Sequence, residues 1–198
     1  LNRATQGTYA PGSTFKIVTT LEYLKENNNH TDDYIFDCNG PYISGDDVIN
    51  CYHKMSHQEV DLEASFAQSC NSSYANIGNS LNVRSFEKTV DSLLFNENLP
   101  LELPSAKSRL WLDDDTTKSD MLQYSIGQGD ILMTPMHMNL ITQAIANDGV
   151  LMQPMLLDSV KNNQGIIVKD FKAEKYKTLM SKKEAAALTD FMMEACET

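Results

Sequence analysis

The sequence predicts a mainly α-helical protein with one or two small β-hairpins. Apolar residues recur at helical spacing in several separate segments, whereas runs rich in β-branched residues are few and short. Proline, glycine and asparagine punctuate the chain between these segments. A length of 198 residues and a hydrophobic content of 41% suit one domain with a sizeable core.

The first predicted helix runs from about Gly12 to Glu26. Pro11 and Gly12 stop the incoming chain, and an apolar-periodic run starts directly behind them, as is typical of a helix start. The asparagines at 27–29 end this helix, because asparagine tolerates the left-handed backbone conformation.

Similar signals predict the remaining elements. Residues 31–57 have little helical period and contain turn signals, which indicates an irregular segment with a small hairpin. A hairpin turn at 162–165 joins two β-rich runs. Further helices are predicted over 59–67, 71–81 and 84–96, from Thr134-Pro135 to Gly149, and from the capping box at 181–184 to the C-terminus.

A formal net charge of −11 restricts the binding partners. We expect no nucleic-acid partner, because phosphate contacts require a basic surface. Electrostatic docking on anionic lipid is disfavoured for the same reason. No apolar run approaches the length that spans a bilayer.

The four cysteines and four histidines indicate no metal site and no cofactor. No C-x-x-C pair occurs, and the histidines lack metal-ligand spacing, so surface histidines are the favoured interpretation, including His53 and His57. Cys38 and Cys51 flank a predicted loop, and both a disulfide and two reduced cysteines remain open for them. Cys70 is interpreted as a small core residue.

Ser13 and Lys16 form the first candidate pair for chemistry. They lie three residues apart at the predicted helix start, on one face and about 5–6 Å apart at Cβ. A serine hydroxyl needs a base to become a nucleophile. Lysine serves as that base when burial or a neighbouring cation lowers its pKa. The free N–H groups of a first helical turn also favour developing negative charge.

This spacing alone does not identify a catalytic pair, because Ser85 and Lys88 share it in a predicted amphipathic helix. For any such pair the alternative is a solvated helix face. Ser13 differs because it follows Pro-Gly at a helix start and leads an apolar helix. A buried lysine there would be costly without a role.

Ser69, Cys70 and Asn71 form a second candidate cluster between two predicted helices. The serine hydroxyl can relay a proton, and the asparagine amide can bind a substrate amide. The same pattern recurs at 80–82, and helix capping is the alternative interpretation.

Gly127, Gln128 and Gly129 form the third candidate. The two glycines predict a tight turn with a close backbone approach. We expect this turn to shape a cleft, and a purely structural turn before a capped helix is the alternative.

These signals, in this order, resemble the transpeptidase domain of a high-molecular-mass penicillin-binding protein. That serine acyl-transferase superfamily, which includes β-lactamases, is known by the motifs S-x-x-K, S-D-N and K-T-G. Pro11–Lys16 matches the first motif, and Ser69–Asn71 matches the second with cysteine in place of aspartate. The resemblance implies that Ser13 is the nucleophile, that Lys16 is its base and that Ser69 is a proton relay. It also implies that Asn71 binds a substrate amide.

The resemblance further implies a peptidoglycan D,D-transpeptidase that crosslinks stem peptides and is acylated by β-lactam antibiotics. Its place would be the extracytoplasmic face of the bacterial membrane, in a membrane-anchored parent that works with cell-wall synthesis proteins. K-T-G is absent, and Lys177-Thr178-Leu179 does not replace it. We therefore expect residues 1–198 to be one incomplete domain, the helical lobe of the β-lactamase/transpeptidase-like fold with its central sheet largely missing. Such a fragment would acylate poorly.

Three other functions share part of this pattern. A serine β-lactamase would need a deacylating base, which the sequence does not identify. A β-lactam-sensing receptor domain would be fused to a membrane signalling module. A non-catalytic helical interaction module would belong to a parent that also lacks K-T-G.

Overall fold

The computed structural model describes residues 2–197. Its helices are α1 Arg3–Gln6, α2 Lys16–Glu26, α3 Leu62–Ala67, α4 Asn71–Ser80, α5 Val83–Ser92, α6 Lys118–Ser125, α7 Pro135–Ala146 and α8 Lys182–Glu197. Its strands are β1 Ile35–Cys38, β2 Tyr42–Ser44, β3 Asp47–Ile49, β4 Gln58–Asp61, β5 Val150–Met152, β6 Ser159–Lys161, β7 Ile167–Asp170 and β8 Lys175–Thr178.

The prediction of a mainly α fold with one or two hairpins is wrong, because the protein is α+β. Helices account for 43% and strands for 16% of it. The strands form four two-stranded antiparallel sheets, in which β1 pairs with β4, β2 with β3, β5 with β8 and β6 with β7. Strands of three or four residues are too short to show alternation, so their pairing depends on tertiary packing.

The prediction of a helix over 59–67 is wrong for its first residues, because these pair with another strand. Its first residues form β4 instead, where Val60 pairs with Phe36 of β1. The helix α3 begins only after Asp61, whose carboxylate accepts a hydrogen bond from the Ala64 N–H at 2.7 Å. Aspartate is a preferred helix cap, and here it separates strand from helix.

The helix α2 lies at the centre of the molecule. All its residues from Lys16 to Leu24 are buried, and it packs against α4, α5 and α8. Phe15, directly before it, packs edge-on against Phe95 and tilted against Phe86. Core packing therefore fixes the start of α2, where the candidate residues Ser13 and Lys16 lie.

The predicted helix starts at Thr134 and Ser181 are confirmed. The Thr134 hydroxyl accepts from the His137 N–H at 3.1 Å. Ser181 and Glu184 exchange the two hydrogen bonds of a capping box. Within residues 2–197, every helix falls short of the length and hydropathy needed to cross a membrane.

Candidate active site

The site is built on a 3-10 turn, Gly12–Phe15, that runs directly into α2. Ser13 lies exposed on this turn, whereas Lys16 is only 2% exposed. The turn starts at Gly12, whose φ of +58° is a conformation that glycine adopts without strain. The local sequence therefore places a hydroxyl at the surface and an amine just beneath it.

The turn at 127–129 packs against this 3-10 turn. The Gly12 N–H donates to the Gly127 carbonyl at 2.9 Å. A Cβ on Gly127 would lie 2.0 Å from the Gly12 oxygen, so no side chain fits there. Gln128 and Gly129 are exposed. The predicted close backbone approach is thus present, but it is made to Gly12, and the substrate contacts of this turn remain a prediction.

The Lys16 amine makes three hydrogen bonds, all to one short segment. It donates to the Ser69 carbonyl at 2.8 Å, to the Ser69 hydroxyl at 2.9 Å and to the Asn71 side-chain oxygen at 2.8 Å. An ammonium group has three donors, so these partners use all of them. The structure thereby brings together the first two sequence-predicted clusters.

Burial lowers the pKa of Lys16 to about 8, although the thiols of Cys70 and Cys51 act in the opposite direction. The Tyr74 ring, whose centroid lies 5.1 Å from the amine, forms part of this buried environment. A pKa near 8 leaves about a tenth of the amine neutral at pH 7, whereas an ordinary lysine is almost entirely charged. Lys16 can therefore accept a proton near neutral pH.

Ser69 is held in an uncommon backbone conformation with a φ of +52°. Outside glycine this left-handed region is costly, and such residues cluster at functional sites. The conformation lets the chain turn from α3 into α4, so that the hydroxyl and the carbonyl of Ser69 both face Lys16. Cys70 then caps α4 by accepting from the Ser73 N–H at 3.4 Å.

Asn71 connects the amine to the loop between β3 and β4. Its side-chain oxygen accepts from Lys16, and its amide nitrogen donates to the Asn50 carbonyl at 3.1 Å. One amide N–H remains after these two bonds.

A cleft of about 480 Å³ contains the candidate residues. Its lining includes Ser13, Ser69 and Asn71 together with Gln68. The loop segment 50–57 also lines it and contributes Tyr52 and Met55 among others. The sequence did not single out this loop segment. Its one local signal is Tyr52, a large aromatic residue that is 76% exposed.

The pair Ser85 and Lys88 lacks this environment. Lys88 is exposed on α5, and the Ser85 N–H donates to the Asn82 side-chain oxygen at 2.9 Å, which caps α5. The same spacing therefore gives a solvated helix face at one position and a buried amine at the other.

The Lys177-Thr178-Leu179 segment does not enter the cleft. Lys177 and Thr178 belong to β8, where they pair with Leu151 and Val150 of β5. This agrees with the expectation that they do not replace a K-T-G motif.

Four potential metal ligands, one of them Cys70, lie close together. The sulfur atoms of Cys38, Cys51 and Cys70 and the ring of His57 lie within 4.8 Å of one another. Cys38 and Cys51 are not bonded, since their sulfurs are 3.8 Å apart. His30 and His53 are exposed as expected, but His57 is half-buried against Cys38 and His137 is buried, so the surface assignment was wrong for these two.

Comparison with known proteins assigns this fold and these motifs to a family. The sequence matches the penicillin binding protein transpeptidase domain along residues 1–198, and the chain belongs to that family. A curated relative, peptidoglycan D,D-transpeptidase PbpA of Mycolicibacterium smegmatis, is 28% identical over 203 residues. The match covers 98% of this chain but only 40% of that relative.

Solved structures show the same similarity. The D,D-transpeptidase domain of a peptidoglycan glycosyltransferase from Eggerthella lenta has a TM-score of 0.88 at 27% identity, covering 100% of this chain and 51% of that one. Penicillin-binding protein A from M. tuberculosis, as an imipenem acyl-enzyme complex, has a TM-score of 0.86 at 25% identity, covering 98% of this chain and 45% of that one.

Proposed function

We propose that this chain carries the nucleophile of a peptidoglycan D,D-transpeptidase. The observation that carries this proposal is the buried Lys16 amine, held 2.9 Å from the Ser69 hydroxyl beside a cleft that contains Ser13. Family membership supports the reaction class, because one relative is named a D,D-transpeptidase and one similar structure is an acyl-enzyme.

In the proposed acylation step, Ser13 Oγ attacks the carbonyl carbon of a D-alanyl-D-alanine bond in a stem peptide. The neutral Lys16 amine takes the hydroxyl proton. Ser69 passes a proton to the leaving nitrogen, D-alanine departs, and the acyl group remains on Ser13. An acceptor amine then attacks the ester, loses its proton by the reverse route and completes the crosslink.

A β-lactam would enter the same cycle and stop at the acyl-enzyme. The stem peptide places this chemistry at the extracytoplasmic face of the bacterial membrane, in a membrane-anchored parent associated with cell-wall synthesis proteins. Asn71 would bind the substrate with the one amide N–H that is left after its bond to the Asn50 carbonyl.

We further propose that residues 1–198 are one incomplete transpeptidase domain. The sequence contains no Lys-Thr-Gly motif, which in this superfamily belongs to the active site. The absent strand would supply one oxyanion-hole donor, and losing one such donor costs about 10²–10³ in rate. The 198-residue chain alone should therefore acylate slowly.

Labelling with a fluorescent penicillin tests both proposals. We expect slow labelling of the 198-residue chain, no labelling of Ser13→Ala and unchanged labelling of Ser85→Ala, the matched control. Labelling that persists in Ser13→Ala would contradict the nucleophile assignment. Rapid stoichiometric labelling that requires Ser13 would contradict only the incompleteness of the domain, and rapid nitrocefin turnover would favour a β-lactamase.

A further inference from the structure

Four chain segments deliver metal-binding side chains to one point beside the cleft. Cys38 ends β1, Cys51 follows β3, His57 precedes β4, and Cys70 caps α4. The three cysteines are 0–5% exposed, so their sulfurs lie in the interior and not on an open surface. The proposed acyl transfer uses none of these four side chains.

Three of the six distances between the four donor atoms match the edges of a tetrahedral zinc site, and all six are within 4.8 Å. Zinc binds sulfur at about 2.3 Å and nitrogen at about 2.0–2.1 Å, which places tetrahedral ligands about 3.8 Å apart for two sulfurs and about 3.5 Å apart for sulfur and nitrogen. The structure has 3.8 Å between Cys38 and Cys51 and 3.7 Å between Cys51 and Cys70. Cys38 Sγ lies 3.4 Å from His57 Nδ1.

A disulfide fits these positions less well. It requires a sulfur–sulfur distance of about 2.05 Å and would use only two of the three thiols. The third thiol and His57 would then have no shared role. A tetrahedral ion uses all four donors, which already lie within 4.8 Å of one another.

We propose a structural zinc site in which one Zn²⁺ ion is held by three thiolates and one neutral imidazole, from Cys38, Cys51, Cys70 and His57. Binding releases three thiol protons to solvent and involves no change of oxidation state. The charges, +2 for the ion and −3 for the thiolates, sum to −1. Four protein ligands leave no open position, which is the pattern of a structural and not a catalytic zinc.

The first turn of α4 supplies the outer contacts that such a site needs. The Ser72 N–H points at Cys51 Sγ at 3.5 Å, and the Ser73 N–H points at Cys70 Sγ at 3.4 Å. Hydrogen bonds of this kind orient ligating groups and stabilise their negative charge.

The segments that carry the ligands contain strained backbone. Of the nine non-glycine residues with left-handed φ angles in the described part of the chain, four lie there: His53, Lys54 and Gln58, around His57, and Ser69, next to Cys70. Each such residue costs about 1–3 kcal/mol and persists only where its surroundings determine it. An ion bound by residues of these segments would fix these strained backbone conformations.

The ion would also hold two segments that line the cleft. Cys70 lies between Ser69 and Asn71, the two partners of the Lys16 amine. Cys51 and His57 bracket the loop segment that contributes Tyr52 and Met55 to the lining. This positioning role rests on the proposed function, whereas zinc binding itself does not.

The test measures metal in the reduced 198-residue chain, without any β-lactam. Elemental analysis after reconstitution with zinc should give one ion per chain, and Co²⁺ substitution should give a thiolate-to-cobalt charge-transfer band with tetrahedral visible bands. His57→Ala should weaken zinc binding by more than about 100-fold, because losing even an outer partner costs 10–100-fold. His53→Ala and Cys196→Ser, both at exposed positions outside the cluster, should bind zinc like the parent chain.

Substoichiometric zinc in the folded, reduced parent chain, or a cobalt form without the charge-transfer band, would overturn the proposal. So would zinc binding that survives His57→Ala at full affinity. If His57→Ala does not fold, competition between the parent chain and a chromophoric chelator decides. Failure of penicillin labelling would leave these metal measurements unaffected, so the two proposals fail separately.

Discussion

The Lys16 amine nitrogen lies 2.9 Å from the Ser69 hydroxyl oxygen, although 53 residues separate the two in sequence. Two further bonds, to the Ser69 carbonyl and the Asn71 side chain, complete the three that an ammonium can donate. When the group loses a proton, one of these bonds is replaced by a lone pair. That lone pair is what a base for Ser13 requires.

Replacing Lys16 by methionine should lower the rate constant of acylation by about 10²–10⁴, the range of general base catalysis. Methionine keeps most of the buried stem but cannot accept a proton. Stopped-flow acylation with a fluorescent β-lactam measures the effect. Lys88→Met, which alters the exposed lysine with the same sequence spacing, should leave the rate unchanged. Equal effects of the two substitutions would contradict the assignment of Lys16 as base.

The acylation rate should rise with pH and level off above about pH 8. Burial lowers the pKa of Lys16 to about 8, and only the neutral amine accepts the Ser13 proton. Below that pKa the neutral fraction changes about tenfold per pH unit, and so should the rate. A pH–rate profile of acylation under pseudo-first-order conditions measures this. A rate independent of pH between 6 and 8 is inconsistent with a lysine base.

Gly127→Ala should destabilise the protein by roughly 2–5 kcal/mol, because a left-handed alanine adds strain and its Cβ collides with Gly12. Gly165→Ala is the matched control, since its φ of +79° is similar but nothing lies within 4 Å of the added carbon. It should cost about 1 kcal/mol. Urea denaturation measures both values. Similar costs for the two would show that the contact with Gly12 is unimportant.

The sequence identified the parts of the site that are local. Ser13 and Lys16 share one helix start, and Ser69 and Asn71 flank one residue, so helical geometry and motif order were sufficient to select them. What separated Ser13 from Ser85 in the structure is the burial of the lysine, which only tertiary packing reveals.

The features that the sequence did not predict depend on residues that are far apart in the chain. Cys38 and His57 meet because β1 pairs with β4 in a register that places Cys38 opposite Gln58. No spacing rule marks the residues of this cluster, since none of the cysteines form the C-x-x-C pair that usually signals zinc. The pair β5 and β8 was missed for the same physical reason, because strands of three and four residues carry no period of their own.

Stability should fall as the pH drops from 6.5 towards 4. Burial lowers the pKa of His137 to about 4, although its hydrogen bond to the Leu93 carbonyl opposes this. In this range the unfolded chain binds a proton that the folded protein excludes, so acid favours unfolding by up to roughly 3 kcal/mol. Thermal denaturation at several pH values measures the loss. In His137→Leu that part of the pH dependence should disappear, and an unchanged slope would contradict the assignment.

The most direct test of the proposed nucleophile is to find which residue carries a penicillin adduct. After long incubation with penicillin G, intact-mass analysis should show one added penicilloyl group, and peptide mapping should place it on Ser13. The same experiment on Ser13→Ala should show no adduct. An adduct on any other residue, or equal modification of Ser13→Ala, would contradict the proposal that Ser13 and Lys16 form the acylating centre.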